Sequence, residues 1–538
     1  MMGTNQLLDK VKSTPQPPLM PQLLAEWAAL QGDKIALQFD EVNLTYGKLD
    51  QAANYLAGAL QRRGIKMGDR VAIMLANRPE IAIAYFALAR LGAIAVPVNT
   101  ALKGEGLAYI FRQSEPSAVI IEPSFLARVE AALGNLDTLN LLVITGPTET
   151  EISRAVQFSQ LLAEQQSGDL PQIQPGDPWA IMFTSGTTGP SKGAILPHQM
   201  FASLSLNAQE FTNFTSDAVA YTFLPLYHLN AVIFCMGVAI MAGARGVIRE
   251  RFPQERLLDD LRESGATHTT IPPFVALGLL ARPPEPHDQV NPLRYLMTFG
   301  LSETQWVAFE QRFGVKILSA YGPTETGLIC TLPLDVENKK SSSGRPHARF
   351  EVRIVDENDR PLPSGEIGEV VCRSLYPFEL MQGYYNNNGA TVAAWRNLWF
   401  HTGDAGWLDQ DGYFYFADRL KDMIKRRGSS VSSFEVEQVL ATCPGLREVA
   451  VVPYRQPDSG EEEVRAFVIA QEGVTVDMRE IISYCASRMA YYMVPRYLDL
   501  CQTLPRNPIG KLEKFKLRKE PLFATTFDRK AAGIVLER

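Results

Sequence analysis

Residues 184–193 read TSGTTGPSKG, directly after the apolar run Ala180-Ile181-Met182-Phe183. A strand-length apolar run that opens into glycines, hydroxyl residues and a lysine can turn several backbone N–H groups and side-chain donors onto one anion. Phosphate binding is the natural reading, and a flexible surface turn of small residues is the bland one. A Walker A loop is excluded. That pattern needs lysine directly after its second glycine and Ser or Thr next, whereas Gly189 is followed by Pro190, Ser191 and Lys192.

Around this loop the chain has the grammar of an α/β protein. RVAIML (70–75), PEIAIAYFALARLG (79–92) and AIAVPV (93–98) alternate short β-rich runs with a longer helical one, and SAVIIE (117–122) and LLVITG (141–146) have the continuous apolar character of buried parallel strands. From about residue 344 the texture changes. FEVRIVDENDRPLPSGEIGEVVCRS alternates apolar residues with Asn, Asp, Pro and Gly punctuation, which predicts an antiparallel β subdomain over about 344–420. Beyond ADRLKDMIKRRG (417–428), helical EVEQVLATC, strand-like EVAVVPY and EVRAFVIA, and helical MREIISYCASRMA predict a small α+β domain. The expected fold is thus α/β: a large N-terminal domain of α/β layers with an antiparallel β subdomain (1–420), and a small C-terminal α+β domain (421–538).

At 538 residues the chain exceeds what one core supports. A net charge of -7, 46% hydrophobic and 21% charged residues point away from disorder and from nucleic acid, so a polyanionic ligand must be met by local positive charge. The six cysteines (Cys235, Cys330, Cys372, Cys443, Cys485, Cys501) contain no CxxC pair, which argues against a disulfide framework or zinc site and for a reducing, cytoplasmic setting. No two histidines have metal-ligand spacing. MMGTNQLLDKVKSTPQPP lacks the apolar region of a signal peptide and reads as a short tail. AVIFCMGVAIMAGA (231–244) falls short of the roughly 20 residues of a membrane span and reads as a buried core helix.

Five motifs follow one another in order: TSGTTGPSKG, LPLYHLNA (224–231), SAYGPTETG (319–327), HTGDAGWLDQDGYFYFADRLKDMIKRRG (401–428) and LPRNPIGKLEK (504–514). The series resembles the adenylate-forming superfamily of acyl-CoA synthetases, nonribosomal adenylation domains and luciferases. FEVEQVL, MAYYMVPRYLDL and LPRNPIGKLEK look most like the crotonobetaine/carnitine–CoA ligase group and similar acyl-CoA ligases. The resemblance implies an ATP-dependent ligase that makes an acyl-AMP from a carboxylic acid, releases pyrophosphate and passes the acyl group to CoA, with ATP, Mg²⁺ and coenzyme A as cofactors and no nucleic-acid partner.

The resemblance also implies roles. Thr184, Ser185, Gly186, Thr187, Thr188 and Lys192 would wrap the β- and γ-phosphates, Tyr321 would stack on adenine beside Gly322, and Thr324 would touch the α-phosphate. Glu325 with Thr184 would hold Mg²⁺, as oxygen ligands suit a hard cation. Asp404 would accept hydrogen bonds from the ribose hydroxyls, Arg419 would contact ribose or phosphates, and Lys511 would bridge the acyl carboxylate and the α-phosphate. Lys421 occupies the hinge about which the small domain would rotate between the two half-reactions. His228 would line the junction of the acyl and CoA channels, although a lone histidine is more often structural. Tyr227, His228, Asn230, Phe299 and Gly322 are the expected acyl-pocket walls; with no obvious charge there to pair with a substrate ammonium they favour a neutral apolar or alicyclic acid, and carnitine-like acids stay open. Lys425, Arg426 and Arg427 could receive the CoA phosphates or be a solvated basic face. Homodimers are common in such folds, so a homodimer stays open.

Two segments depart from the ligase pattern. After KRRG the group has Glu-Asn-Val/Ile-Ser, whereas here Ser429, Ser430, Val431 and Ser432 stand, which puts the CoA step in question. FGLSE (299–303) replaces a Gly-Ala-rich turn beside adenine, so only Gly300 and Leu301 carry over. Loading of a separate carrier protein, a luciferase-like oxidation and a catalytically silent nucleotide-binding protein are the competing functions. The last is disfavoured by the joint presence of Lys192, Glu325, Asp404, Arg419 and Lys511.

Overall fold

The computed structural model describes residues 7–8, 11, 16–134, 139–148, 154–184, 191–332, 339–426, 429–457, 461–506 and 512–536. The chain divides into two compact units. One takes Met1–Thr184, Ser191–Glu351 and Arg373–Ala394; the other takes Val352–Cys372 and Trp395–Arg538.

The first unit is built on two large sheets. In one, the apolar runs expected to be parallel strands lie side by side: Ile94–Pro97, Arg70–Met74, Ala118–Ile121, Leu141–Ile144 and Ala155–Gln157 follow Pro178–Thr184 in a parallel array. Beyond Pro178–Thr184 the sheet turns antiparallel, through Lys192–Pro197 and then Gly383–Tyr384. The other sheet runs Lys316–Leu318, Tyr295–Met297, His268–Thr270, Val219–Thr222, Arg245–Ile248 and Ile35–Phe39, all parallel, with Val42–Thr45 antiparallel at the edge. Helices Met20–Gln31, Tyr46–Arg62, Pro79–Leu91, His198–Phe211 and Val238–Ala242 pack on one another and on strands of both sheets. Continuous apolar strands need this cover on both faces. Trp179, fully buried, stacks on Phe201 at 4.2 Å between ring centres and joins a strand to a helix.

The run 231–244 is buried, as its composition predicts, but it is not one regular helix. Leu229–Ala231 leads into a π-helical stretch, Val232–Gly237, before Val238–Ala242 resumes α-geometry. Such a widened turn re-aims the side chains that follow it and recurs at functional sites. Among the described residues, no helix is long and apolar enough to cross a membrane.

In the second unit the antiparallel β part expected after residue 344 is present. Gly368–Ser374 pairs with Trp399–Leu408, which pairs in turn with Trp395–Arg396 and Phe414–Arg419. A four-stranded sheet follows, ordered Leu446–Arg455, Glu462–Ala470, Tyr497–Leu500 and Phe527–Asp528. Its two faces show the period of a strand. Val451, Val464, Ala466 and Val468 pack with Val436, Leu440, Ile481 and Ile482 of two helices, while Ala450, Val452, Phe467 and Ile469 pack with Leu504 and Leu517.

Within this sheet Arg465 is wholly buried. Its Nε donates to Asp499 at 2.7 Å, its Nη atoms donate to the Glu520 and Pro521 carbonyls, and its guanidinium lies over the Tyr454, Phe467 and Phe523 rings. Removing one partner of such a pair strands the other charge out of water. Arg465→Ala is expected to cost about 3–5 kcal/mol in urea unfolding, and the paired apolar replacement Arg465→Met with Asp499→Leu to recover most of it.

Candidate active site

The glycine-rich motif joins two antiparallel strands, Pro178–Thr184 and Lys192–Pro197, whose register sets Thr184 opposite Lys192. The Thr184 hydroxyl lies 3.3 Å from the Lys192 carbonyl and 3.3 Å from Glu325 Oε1. Glu325 is buried, and its Oε1 also accepts from the Tyr384 hydroxyl at 3.0 Å. The Lys192 ammonium stands 4.3 Å from the centre of the Tyr384 ring. Three residues expected at the phosphates, Thr184, Lys192 and Glu325, are thus brought together around a tyrosine that sequence reasoning missed. Tyr384 arrives because Gly383–Tyr384 adds to the edge of the sheet, opposite Ile195 and Ala194. A tyrosine pair, Tyr384-Tyr385, after an apolar stretch was the available signal.

Glu325 is presented by a tight turn. Tyr321 ends a two-residue strand opposite Cys330, and the Thr326 and Gly327 amides fold back on the Pro323 carbonyl. A Cβ on Gly322 would lie 1.5 Å from the Gly327 carbonyl oxygen, and one on Gly327, where φ is +65°, would lie 2.0 Å from Leu204. Both glycines of YGPTETG are therefore demanded by close approach, independently of any ligand. The Met381 amide donates to the Glu325 carbonyl at 2.9 Å and fixes the turn from outside. Tyr321 is buried, Thr324 half-buried and Gly322 exposed.

The LPLYH loop is pinned from beneath. Asn77 donates to the Leu224 and Arg249 carbonyls and accepts from the Leu226 amide, and the Tyr85 hydroxyl donates to the Leu226 carbonyl at 2.7 Å. These bonds set Tyr227 and His228, half-buried with ring centres 4.6 Å apart, at the head of the helical run. Burial raises the Tyr227 phenol, against the lowering effect of its hydrogen bond with Thr100. Asn230 keeps a buried carboxamide oxygen without a hydrogen-bond partner among the described residues. Phe299 is half-buried, Gly300 exposed in the left-handed region at φ +69°, and Leu301 buried.

In the second unit Asp404 and Arg419 face each other across two strands, and Arg419 Nη1 lies 2.7 Å from Asp404 Oδ1. Asp404 is buried while the arginine is more exposed. The HTGD turn is held by Glu369, which sequence reasoning also missed. Its Oε1 accepts from the Gly403 amide at 3.2 Å and its Oε2 meets His401 Nδ1 at 2.9 Å. Lys421 is exposed, and its carbonyl accepts from Arg518 Nη1 at 2.6 Å. Burial pushes the neighbouring Asp422 carboxyl up.

Of the basic run, Arg426 alone is described by its side chain and departs from an exposed anion site: it is buried, 2.8 Å from Glu463 and donating to the Tyr492 carbonyl, because Ile424–Arg426 packs as a strand on the four-stranded sheet. Lys425 lies on that strand, which pairs with Ser429–Val431. Ser185, Gly186, Thr187, Thr188, Arg427 and Lys511 lie outside the described residues, as do the side chains of Lys425, Ser429 and Ser430.

The comparisons with known proteins agree with this geometry. The AMP-binding enzyme family matches residues 24–385, and the AMP-binding enzyme C-terminal domain matches 435–511. A crotonobetaine/carnitine–CoA ligase of Salmonella typhi is 34% identical over 510 residues, 92% of this chain and 98% of the relative. Among solved structures, the anthranilate CoA ligase AuaEII in complex with anthranoyl-AMP superposes with a TM-score of 0.82 at 26% identity, over 95% of this chain and 98% of that one. ATP-bound MatB from Rhodopseudomonas palustris gives 0.82 at 27%, over 93% and 98%. The chain belongs to the AMP-binding enzyme family, and its class is that of an AMP-forming acyl-CoA synthetase.

Tyr384→Phe keeps the ring under Lys192 and removes one bond to a buried carboxylate. Adenylation, followed by ATP–pyrophosphate exchange, is expected to slow about tenfold, the equivalent of a hydrogen bond to a charged group. Gly322→Ala is expected to abolish exchange while the far-ultraviolet circular dichroism stays native, since only the turn must open.

Proposed function

We propose that the chain joins a carboxylic acid to coenzyme A in two steps. A carboxylate oxygen attacks the α-phosphorus of ATP, the bond from that phosphorus to the bridging oxygen breaks, and pyrophosphate leaves with the bond's electrons. The CoA sulfur then attacks the carbonyl carbon of the acyl-AMP, the carbon–oxygen bond to AMP breaks, and the thiol proton passes to solvent. The first step is slow at neutral pH unless charge growing on the phosphoryl group is met by fixed donors.

The observation that carries this reading is the meeting of Thr184, Lys192 and Glu325 around Tyr384. Lys192 supplies positive charge beside the glycine-rich loop. Glu325, with hydroxyls of Thr184 and Tyr384 on the same carboxylate oxygen, is an oxygen-rich donor set that fits Mg²⁺. Glu325 and Thr184 would hold that ion, which would neutralise phosphate charge. In this reading Tyr321 stacks on adenine, Thr324 touches the α-phosphate, Asp404 accepts from the ribose hydroxyls with Arg419 beside it, and Lys511 bridges carboxylate and α-phosphate. His228 lines the passage to the acyl pocket. A reducing cytoplasmic setting, supported by six free cysteines, and a homodimer belong to the same proposal.

The experiment is mass spectrometry of products formed from ATP, Mg²⁺, CoA and a library of carboxylic acids, beside Lys511→Ala. The expected result is an acyl-CoA peak with wild-type protein alone. Acyl-AMP without acyl-CoA would overturn CoA as the acceptor.

Two half-reactions at one site require the small domain to turn, and Lys421 is the proposed hinge. Arg518 holds the Lys421 carbonyl and lies 3.0 Å from Asp422, so the hinge is braced through an acceptor that proline would keep. Lys421→Pro, which fixes φ, is expected to lower one half-reaction at least tenfold more than the other in single-turnover measurements. Equal losses would remove the hinge assignment.

A further inference from the structure

A cavity lies along one face of the seven-stranded sheet, where Thr270, Met297 and Leu318 stand in register on three adjacent parallel strands. Two residues earlier on two of these strands, and so on the same face, His268 and Tyr295 line its far end. Phe234 and Val238, on the helical run that follows His228 and Asn230, form part of its wall. Phe299 lies two residues beyond Met297 and Gly322 four beyond Leu318, past the ends of those strands. The expected acyl-pocket walls therefore follow closely in sequence on strands that line this cavity, or lead into the helical run that does. No motif marks this cavity, because its lining comes from short strands far apart in the chain.

The lining carries no Asp, Glu, Lys or Arg. His268 is the one titratable imidazole, and both its nitrogens are committed: Nε2 meets the Thr212 carbonyl at 3.0 Å and Nδ1 the Thr267 hydroxyl at 2.7 Å. A carbonyl only accepts, so Nε2 carries a proton, while Nδ1 faces a hydroxyl that also donates to the Val219 carbonyl at 3.1 Å. Burial lowers the pKa of His268 to about 4. Surroundings that keep an imidazole uncharged would also penalise an ammonium on a ligand. About 20 Å³ is open to the centre of a water-sized group, enough for one water or the end of a hydrocarbon chain. Unbranched Met297, with three rotatable bonds, can move aside for more.

Resting on the acyl-CoA ligase reading above, we propose that this cavity receives the far end of the acyl group and selects an uncharged hydrocarbon tail. The preferred substrate is a monocarboxylic acid ending in alkyl or alicyclic carbon. An acid ending in a quaternary ammonium, such as crotonobetaine, or in a second carboxylate would have to shed its hydration against a wall that holds no counter-charge. Aromatic faces at Phe214, Phe234 and Tyr295 attract a cation, but no carboxylate among the lining residues balances its charge.

The test measures kcat/KM for acyl-CoA formation by the full chain with butyrate, octanoate, suberate and crotonobetaine. Octanoate is expected to exceed suberate and crotonobetaine at least tenfold. Val238→Phe, which fills the cavity from the helix side, is expected to lower the octanoate-to-butyrate ratio at least tenfold. Leu318→Phe fills it from the sheet and carries the test where Val238→Phe does not fold, as judged by thermal melting. Preference for crotonobetaine or suberate, or an unchanged octanoate-to-butyrate ratio in a folded variant, overturns the cavity's role. Absence of acyl-CoA with every acid, together with silent ATP–pyrophosphate exchange, counts instead against the ligase reading.

Discussion

A buried carboxylate is costly unless its oxygens are given hydrogen-bond partners, and three segments of the first unit meet that demand at Glu325. Its side chain accepts from hydroxyls that come from two other segments, Thr184 at the end of a central strand and Tyr384 at the sheet edge. Its backbone is gripped by Met381 and turned by Gly322 and Gly327. The end of the strand Pro178–Thr184, the YGPTETG turn and the two-residue strand Gly383–Tyr384 are thus joined through one carboxylate. Moving any of them moves the carboxylate. A second network lies behind it, where buried Glu379 pairs with Arg349 and accepts from Ser203 and Ser374, tying the segment that carries Tyr384 to the helix that meets Gly327.

The second unit meets the same demand by a simpler device. Strand register alone sets Asp404 against Arg419, so two residues fifteen positions apart in one motif meet in space as a cross-strand ion pair. Glu369 then fixes the turn that carries Asp404 by taking the Gly403 amide and His401 on its two oxygens. An arginine on Asp404 leaves the carboxylate oriented and able to accept from hydroxyls, which is what a ribose presents.

The legible parts of the sequence were those encoded locally. Strand-length apolar runs such as Ala118–Ile121 and Leu141–Ile144 became parallel strands because nothing but burial on both faces suits them. Thr184, Lys192, Glu325, Asp404 and Arg419 could be singled out because each sits inside a contiguous motif, and the structure brings the first three into one cluster and the last two into a pair. Tyr384 was missed because it reaches Glu325 only through a sheet edge completed from a distant part of the chain. Glu369 and Asn77 escaped for the same reason: each acts on a loop that lies far from it in sequence. Arg426 was misread for the opposite reason. A run of basic residues suggests an exposed anion site, but a strand alternates its faces, and Arg426 falls on the side that meets Glu463, to which Arg496 and Lys530 are also paired. Local charge density cannot report such a partner.

The first unit also separates two kinds of environment along the same strands. Beyond the carboxyl end of Lys316–Leu318 lies the YGPTETG turn with Glu325 and its hydroxyls, where charge is expected to come and go during phosphoryl transfer. A few residues back, at His268, Tyr295 and Met297, the lining is uncharged and an imidazole is held neutral. A preorganised polar site keeps its strength only where its surroundings do not compete with it. If the cavity holds the acyl tail as proposed, its uncharged lining would serve catalysis as well as selection: the reacting carboxylate would be the one charged group that the acid brings, and the fixed donors near Lys192 and Glu325 would act on that end of the substrate alone.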